Sequence, residues 1–250
     1  MRQLLSFLVL FTVVFSCGSC RKDPPVGPSA TVQVSIKTVF GDEPFIAGKE
    51  YAYPSVGSIK FDDLAIFLSD ISLVAANGTD EVALDEIAYL DIADTQYDMS
   101  TSEKGWVQSY FSVPLGDYAG IKFGFGVGHE ENNQSPKNFS AGNPLGGVER
   151  YSSQYLSYVF EDIDGEYYLA DDTTSFNIKI VEDKRYTQVS LKESFSVNES
   201  GNEMEIIFDL KKVFQRNDSI LDLTAYPMII SPELPQMDWL AKNMEYSFSY

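Results

Sequence analysis

From Thr31 to Lys37 apolar and polar residues alternate without interruption, with Val32, Val34 and Ile36 on one side and Gln33, Ser35 and Lys37 on the other. A period of two predicts a half-buried strand. Ile59-Lys60-Phe61 begins a second, and Leu64 to Ala75 is nearly continuous apolar sequence, as a strand covered on both faces requires. Asn77-Gly78 then supplies the positive φ of a tight hairpin. Ile87–Ile92, Gly105–Val113 and Ala119–Val127 repeat the signal, the last placing Ile121, Phe123 and Phe125 on one face among glycines that permit a bulge or close packing. Tyr155–Glu161, Glu166–Ala170, Ser175–Ile180, Thr187–Leu191 and Met204–Leu210 complete the strand candidates. Asp164-Gly165 and Asn198–Asn202 read as hairpin turns between them.

Helical periodicity is scarce. Asp209–Phe214 is at most one turn, and Pro235–Met244 sets Met237, Leu240 and Met244 at helical spacing near the C-terminus. Many short strands with polar turns predict a mainly β protein: an antiparallel two-sheet β-sandwich, Ig-like or jelly-roll-like, with a short C-terminal helix. The stretch from Gly128 to Gly147 is the longest without strand character, a length at which loops carry function or lack order.

The N-terminus follows a different rule. Met1-Arg2-Gln3 precedes an apolar run from Leu4 to Phe15 that is too short to span a bilayer and ends in Val14-Phe15-Ser16-Cys17. An aliphatic residue three before a cysteine and a small one directly before it predict a bacterial lipoprotein signal over residues 1–16, with Cys17 as the lipid-attachment residue. Cys20 is the second choice, because Cys17 then occupies its third position back. The segment Asp23–Ser29 is rich in proline and reads as an extended tether, so residues 17–30 form a lipidated linker and residues 31–250 a single domain. These features predict an outer-membrane location, on the periplasmic or the cell-surface side.

Composition narrows the chemistry. The chain carries a formal charge of -19, and both of its cysteines lie at the signal, leaving the body without disulfides or thiolate ligands. About 220 residues suffice to bury a core without such staples. An acidic chain lacking a basic patch repels phosphate backbones, so nucleic acid is excluded as a partner and membrane contact rests on the lipid anchor. No Gly-x-Ser-x-Gly elbow, phosphate loop or HExxH helix occurs, and one histidine leaves few nucleophile–base pairings; the chain reads as non-enzymatic.

Two stretches offer candidate ligands. Gly128-His129-Glu130-Glu131-Asn132-Asn133 is either a metal or ligand site built on His129, Glu130, Glu131, Asn132 and Asn133, or a solvated acidic loop. Glu161–Glu166, with Asp162 and Asp164 at alternate positions before Gly165, resembles the first half of a calcium loop, though a hairpin turn explains it without an ion. Calcium is thus the metal the oxygen-rich composition suits. Asp91, Asp94 and Asp98 form a third carboxylate group whose simplest reading is a solvated strand exit. Tyr151, Tyr155, Tyr158, Tyr167 and Tyr168 offer either a sugar-stacking platform or cross-strand packing.

The segment Val113-Pro114-Leu115-Gly116-Asp117-Tyr118-Ala119-Gly120-Ile121-Lys122-Phe123-Gly124-Phe125-Gly126-Val127 resembles the central "P-x-G-x-Y-x-x-I-x-F-x-x-G-V" motif of the MbnP-like family. On either side, Phe67–Leu73 is similar to the family's "y-I-S-N-i-x-L" strand, Tyr89-Leu90-Asp91 to "y-L-i-D", Asn143–Gly147 to "D-P-L" and Ala241-Lys242-Asn243 to the closing "a-x-N". The ordered series covers essentially the whole body. It implies an exported β-sandwich protein that handles a metal or small ligand with a redox or outer-membrane transport partner, the family being associated with dihaem proteins. Departures are equally informative. Val148–Tyr158 lacks the tryptophans and glycines of "G-M-x-W-x-W-x-x-G-Y", and Asn177 stands where the family has histidine. Copper in the family sits among several imidazoles, and a chain with His129 alone cannot build such a site, so inherited copper binding is disfavoured. The competing expectation is a surface interaction module, glycan- or protein-binding, that keeps the sandwich without the metal site.

Overall fold

The computed structural model describes residues 27–54 and 57–250. The signal segment, Cys17 and Cys20 lie outside them. The chain opens with β1 (Ser29–Phe40), β2 (Glu43–Pro44), β3 (Glu50–Tyr53), β4 (Gly57–Ala75) and β5 (Glu81–Asp91). Two short helices, α1 (Ile92–Thr95) and α2 (Met99–Lys104), lead to β6 (Trp106–Pro114) and β7 (Gly116–Phe125). α3 (His129–Asn132) and three 3-10 turns precede β8 (Tyr151–Ser152), β9 (Ser157–Leu169) and β10 (Asp172–Val181). A 3-10 turn over Asp183–Arg185 is followed by β11 (Thr187–Leu191), β12 (Phe195–Val197) and β13 (Asn202–Asp209), which runs into α4 (Leu210–Phe214). β14 (Gln215–Arg216), β15 (Ser219–Ile220), β16 (Met228–Ile229), α5 (Pro235–Met244) and β17 (Phe248–Ser249) close the chain.

The expected two-sheet sandwich with a short C-terminal helix is present. One sheet is built on β1, flanked by β13 and by β6 and β2, with β17 beyond β13; the other runs β11-β7-β4-β9-β10-β16. The β1–β13 and β10–β16 pairs are parallel, whereas the remaining strand pairs are antiparallel. The alternation in β1 is realised as read, with Val32, Val34 and Ile36 buried. The sheets meet through aromatic rings: Phe123 of β7 stands edge-on to Phe248 of β17 at 5.0 Å, and Phe61 of β4 touches Phe40 of β1 at 5.6 Å. Such tilted and edge-on pairs add about 0.5–1.5 kcal/mol each beyond the area they bury. α5 buries Met237, Leu240 and Met244, the three residues its spacing selects.

β4 organises the larger sheet. Its 19 residues form a continuous strand whose Leu64–Ser69 stretch is wholly buried, as an apolar run without alternation implies. Ile66 pairs with Leu90 of β5 on one edge and Glu161 of β9 on the other, while two residues on Leu68 pairs with Ala88 of β5 and Phe125 of β7. One edge of β4 therefore passes from β9 to β7, and the sheet forks there. Gly126 bridges the fork by donating its N–H to the Phe67 carbonyl at 2.9 Å.

Two turn expectations are corrected, and one loop expectation, the lack of strand over Gly128–Gly147, holds. Asp164-Gly165 lies within β9, and the reversal occurs instead at Ala170-Asp171, where Ala170 has φ 54°. Gly165 is small because the chain is crowded, not because it turns: a Cβ there would lie inside contact distance of the Lys60 carbonyl oxygen and 2.7 Å from the Phe176 ring. Asn198–Asn202 joins β12, which pairs with β7, to β13, which pairs with β1, so it crosses between sheets and is no hairpin. Gly128–Gly147 holds α3 and 3-10 turns over Pro136–Asn138 and Pro144–Gly146. Replacing Gly165 with alanine is expected to cost on the order of 2 kcal/mol, since the obstruction is backbone that cannot step aside. Chemical denaturation of the G165A protein measures this, and an unchanged midpoint would contradict the close approach.

Candidate functional site

The fork in the larger sheet places side chains from four distant segments around α3. The chain leaves β7 through Gly126, Val127 and Gly128 and turns into α3, so His129 projects at the point where β7 gives way to β9 along β4. His129 is largely exposed, and its Nδ1 contacts the Asp183 carboxylate. Asp183 also accepts from Asn132 Nδ2 at 2.5 Å. Asn132 is itself buried and anchored at the root of β9: its Oδ1 accepts the Tyr158 N–H at 2.7 Å, and its amide exchanges hydrogen bonds with the Ser157 hydroxyl at 3.2 Å. Asn133 donates to the His129 carbonyl at 2.6 Å and sets its amide nitrogen 3.2 Å from Nδ1 and 3.4 Å from Nε2.

Asp183 is held from behind. It opens the 3-10 turn whose last residue, Arg185, is buried and donates to the carbonyls of Val181 (3.1 Å) and Pro232 (2.8 Å) and to Glu182 and Asp238 at 3.0 and 2.6 Å. An unpaired buried guanidinium would be costly, so these four acceptors also fix the turn in place. Tyr186 follows and reaches across to β4, donating its phenol to Asp70 Oδ2 at 2.9 Å. Burial lifts the Tyr186 phenol above its ordinary range; a hydrogen bond with the Ser69 hydroxyl draws it back, and the hydrogen bond to Asp70 together with the Asp70 and Glu131 charges raises it again. Asp70 sits at φ 53° in the irregular stretch of β4 between Ser69 and Ser72.

Of the residues read from this loop, the structure joins His129, Asn132 and Asn133 in one hydrogen-bonded group and leaves the Glu130 and Glu131 side chains exposed. Asn132 serves as a buried clamp, so its amide is spent on the fold. Asp70, Ser157, Asp183 and Tyr186 escape a sequence reading because they lie 25 to 59 residues from the loop. A lone β-bulge aspartate at positive φ carries no local motif.

The second candidate, Asp162 and Asp164, is corrected in form: these residues lie on a strand, with Glu161 on its opposite face, and do not form a calcium loop. Asp162 pairs with Lys179, and Asp164 accepts from Asn177. Register puts Asp63 directly beside Asp164, and sets Asp162 and Asp91 on either side of Ala65. Burial, then the charges of Asp162, Asp91 and Asp164, hold the Asp63 carboxyl above the usual range. Asp91 and Asp98 cap α1 and α2 through the N–H groups of Asp94 and Thr101, so the expected solvated strand exit is a pair of helix starts. Nor do the five tyrosines form a platform. Tyr158 and Tyr167 are buried, Tyr158 donating to the Leu145 carbonyl at 2.7 Å and packing edge-on against Tyr151 at 5.1 Å. Among the described residues, no group of three or more His, Asp, Glu or Cys side chains is arranged to hold a metal ion, and no helix is long and apolar enough to cross a membrane.

A family model described as MbnP matches residues 29–230. The chain belongs to the MbnP family. Among solved structures, MbnP from Methylosinus trichosporium is similar with a TM-score of 0.52 and 14% identity, covering 76% of this chain and 79% of that one. At that identity the likeness shows a shared fold. A search of curated proteins finds no match. The matched span runs from the start of β1 past β16, so it includes the fork, α3 and the Asp183 turn of this MbnP-family chain.

Glu161, inside that span, has no role in either candidate group. It points into the sandwich between Ile66 and Ile180, fully buried, with neither carboxylate oxygen hydrogen-bonded. Desolvation, then the neighbouring Asp162 charge, push its pKa up from 4.5 to about 8. The folded state thus holds the proton more tightly than the unfolded chain. The resulting stability is fully present below pH 4.5 and declines as pH rises toward 8, at up to about 1.4 kcal/mol per pH unit. Glu161→Gln should abolish that slope and raise the melting temperature above pH 8. Thermal melts of both proteins between about pH 4 and 9 check it; parallel curves would show that the carboxyl ionises without cost.

Proposed function

We propose that this MbnP-family chain is a non-enzymatic cell-envelope lipoprotein, anchored through Cys17 at the outer membrane, that presents His129 to a metal ion or a small metal-bearing ligand. The observation that carries the reading is the Asp183–His129 contact. A carboxylate on Nδ1 fixes the imidazole's tautomer and orientation and raises the basicity of the other nitrogen, the arrangement that orients metal-binding histidines. Asn132 and the Arg185-braced turn hold the carboxylate, so the donor is oriented before a ligand arrives.

One imidazole with oxygen donors suits zinc or copper(II) better than copper(I), which favours thiolate and thioether ligands. Among the described residues too few donors converge to enclose an ion, so the remaining positions belong to solvent, a chelating ligand or a partner. A dihaem redox protein or an outer-membrane transporter, as the family resemblance implies, fits that requirement. A surface interaction module, glycan- or protein-binding, is the second reading, favoured by the lack of any three-residue metal cluster among the described residues.

Calorimetric titration with zinc(II) and copper(II) tests the first reading. The H129A protein should lose binding, and the D183N protein should bind about 10- to 100-fold more weakly. Equal affinity in wild-type and H129A proteins would remove His129 from the site. Metal analysis of protein purified from its native envelope separates the readings: stoichiometric metal supports the first, and metal-free protein that binds glycans supports the second.

A further inference from the structure

The smaller sheet leaves part of β13 unpaired. On one side β1 pairs with this strand from Asn202 to Asp209, whereas on the other β17 pairs with Ile207 and Phe208 only. The Asp209 N–H donates to the Ser247 carbonyl at 2.8 Å, so Asp209, and Ile207 two residues back, turn their main-chain groups toward β17. That orientation repeats at every second residue of a strand. Glu205 and Glu203 therefore aim their N–H and C=O groups at an edge where, among the described residues, no strand is paired. A groove of about 460 Å³ lies beside it, lined by Glu203, Met204 and Glu205, by Tyr250, and by Glu193 and Phe195 at the rim of the larger sheet. Its two sides differ in chemistry. Glu203 and Glu205 are exposed on the outer face, while Met204 between them is buried on the inner one. The Tyr250 phenol lies 3.9 Å from Met204 Sδ and is hydrogen-bonded to the Ile121 main chain in β7, so it bridges the two sheets. With Phe195, whose ring stacks on Tyr118, it gives the inner side an apolar wall. Glu205 meets Lys37 at 2.6 Å, whereas Glu193 and Glu203 make no ion pair among the described residues.

We propose that this edge binds an extended basic segment of a partner polypeptide by strand addition, antiparallel to β13 and in line with β17. Main-chain hydrogen bonds to Glu203 and Glu205 supply the pairing, and side chains at alternate positions supply the selection. Residues of the added strand opposite Glu203 and Glu205 share the outer face of those glutamates, where lysine or arginine is favoured. The residue opposite Met204 turns inward toward Phe195 and Tyr250, where an apolar side chain is favoured. The recognised pattern is thus basic, apolar, basic. A second copy of β13 laid on this edge would set glutamate against glutamate, and like charges directly opposite are destabilising. Charge therefore bars self-pairing and admits a strand of opposite sign. The groove shares no residue with the His129 group, and the proposal holds whatever ion meets that imidazole.

The test is fluorescence anisotropy with a labelled peptide of alternating lysine and valine. Wild-type and H129A proteins should bind it equally, which separates this edge from the imidazole site. The E203K/E205K protein, altered only at exposed positions, should bind about tenfold more weakly. The E86K/E103K protein, with the same charge change at other exposed positions, should bind like wild type. Strand addition also predicts which amides matter. Lysine N–H groups face the edge and valine N–H groups face away, so methylating the lysine amides should abolish binding and methylating the valine amides should spare it. A wild-type protein that ignores the peptide would overturn the proposal, as would equal binding of a glutamate–valine peptide. Equal loss in E203K/E205K and E86K/E103K, or equal binding of the two methylated peptides, would reduce the effect to net charge and overturn it too. A wild-type dimer in sedimentation that the lysine–valine peptide dissociates would assign the edge to a second copy instead.

Discussion

The continuity of β4 is the constraint on which the rest of the structure depends. A strand of 19 residues is far longer than the usual five or six, and no single neighbour runs its full length. On one edge it is served first by β9 and then by β7, and the exchange takes place within two residues, between Ile66 and Leu68. Both partners must diverge at that point. The departing chain of β7 finds space through Gly126, whose Cα passes so near the Phe160 ring that a side chain there would collide. Everything polar and exposed near α3 is gathered by this divergence. Backbone pairing therefore places His129 and Asp183 together, and side-chain preference plays a smaller part.

Much of the framework was legible because it is local. Alternation marks β1, an unbroken apolar run marks β4, and three apolar residues at helical spacing mark α5. Asp164-Gly165 misleads for a physical reason. The same dipeptide that enables a tight turn also allows one strand to lie against a carbonyl and a ring, and only the tertiary neighbours distinguish the two uses. The donors around α3 were half legible. His129, Glu131, Asn132 and Asn133 lie in one polar run, but Asp70, Ser157, Asp183 and Tyr186 are brought to it by strand pairing that no local pattern encodes. Glu161 is the clearest limit: within an acidic run it looks solvated, and the pleat alone decides that it faces the core.

The polar chemistry of this family member is dominated by oxygen. Asn177 is engaged with Asp164, and the strand face it shares carries Asp63, Asp162 and Asp164. Around α3 the balance is similar, with one imidazole among carboxylates and amides. Such surroundings favour ions that tolerate exchange over those that require enclosure.

One feature of β7 sets how the molecule meets its surroundings. Residues ahead of Ser29 join the body beside Pro114, where the Pro28 carbonyl accepts the Leu115 N–H, and β7 starts at the next residue. Ten residues of strand, roughly 33 Å, then separate that corner from the turn bearing the imidazole. The Pro28 corner and the turn bearing the imidazole therefore lie at opposite ends of one strand, so a contact made at the first leaves the second free.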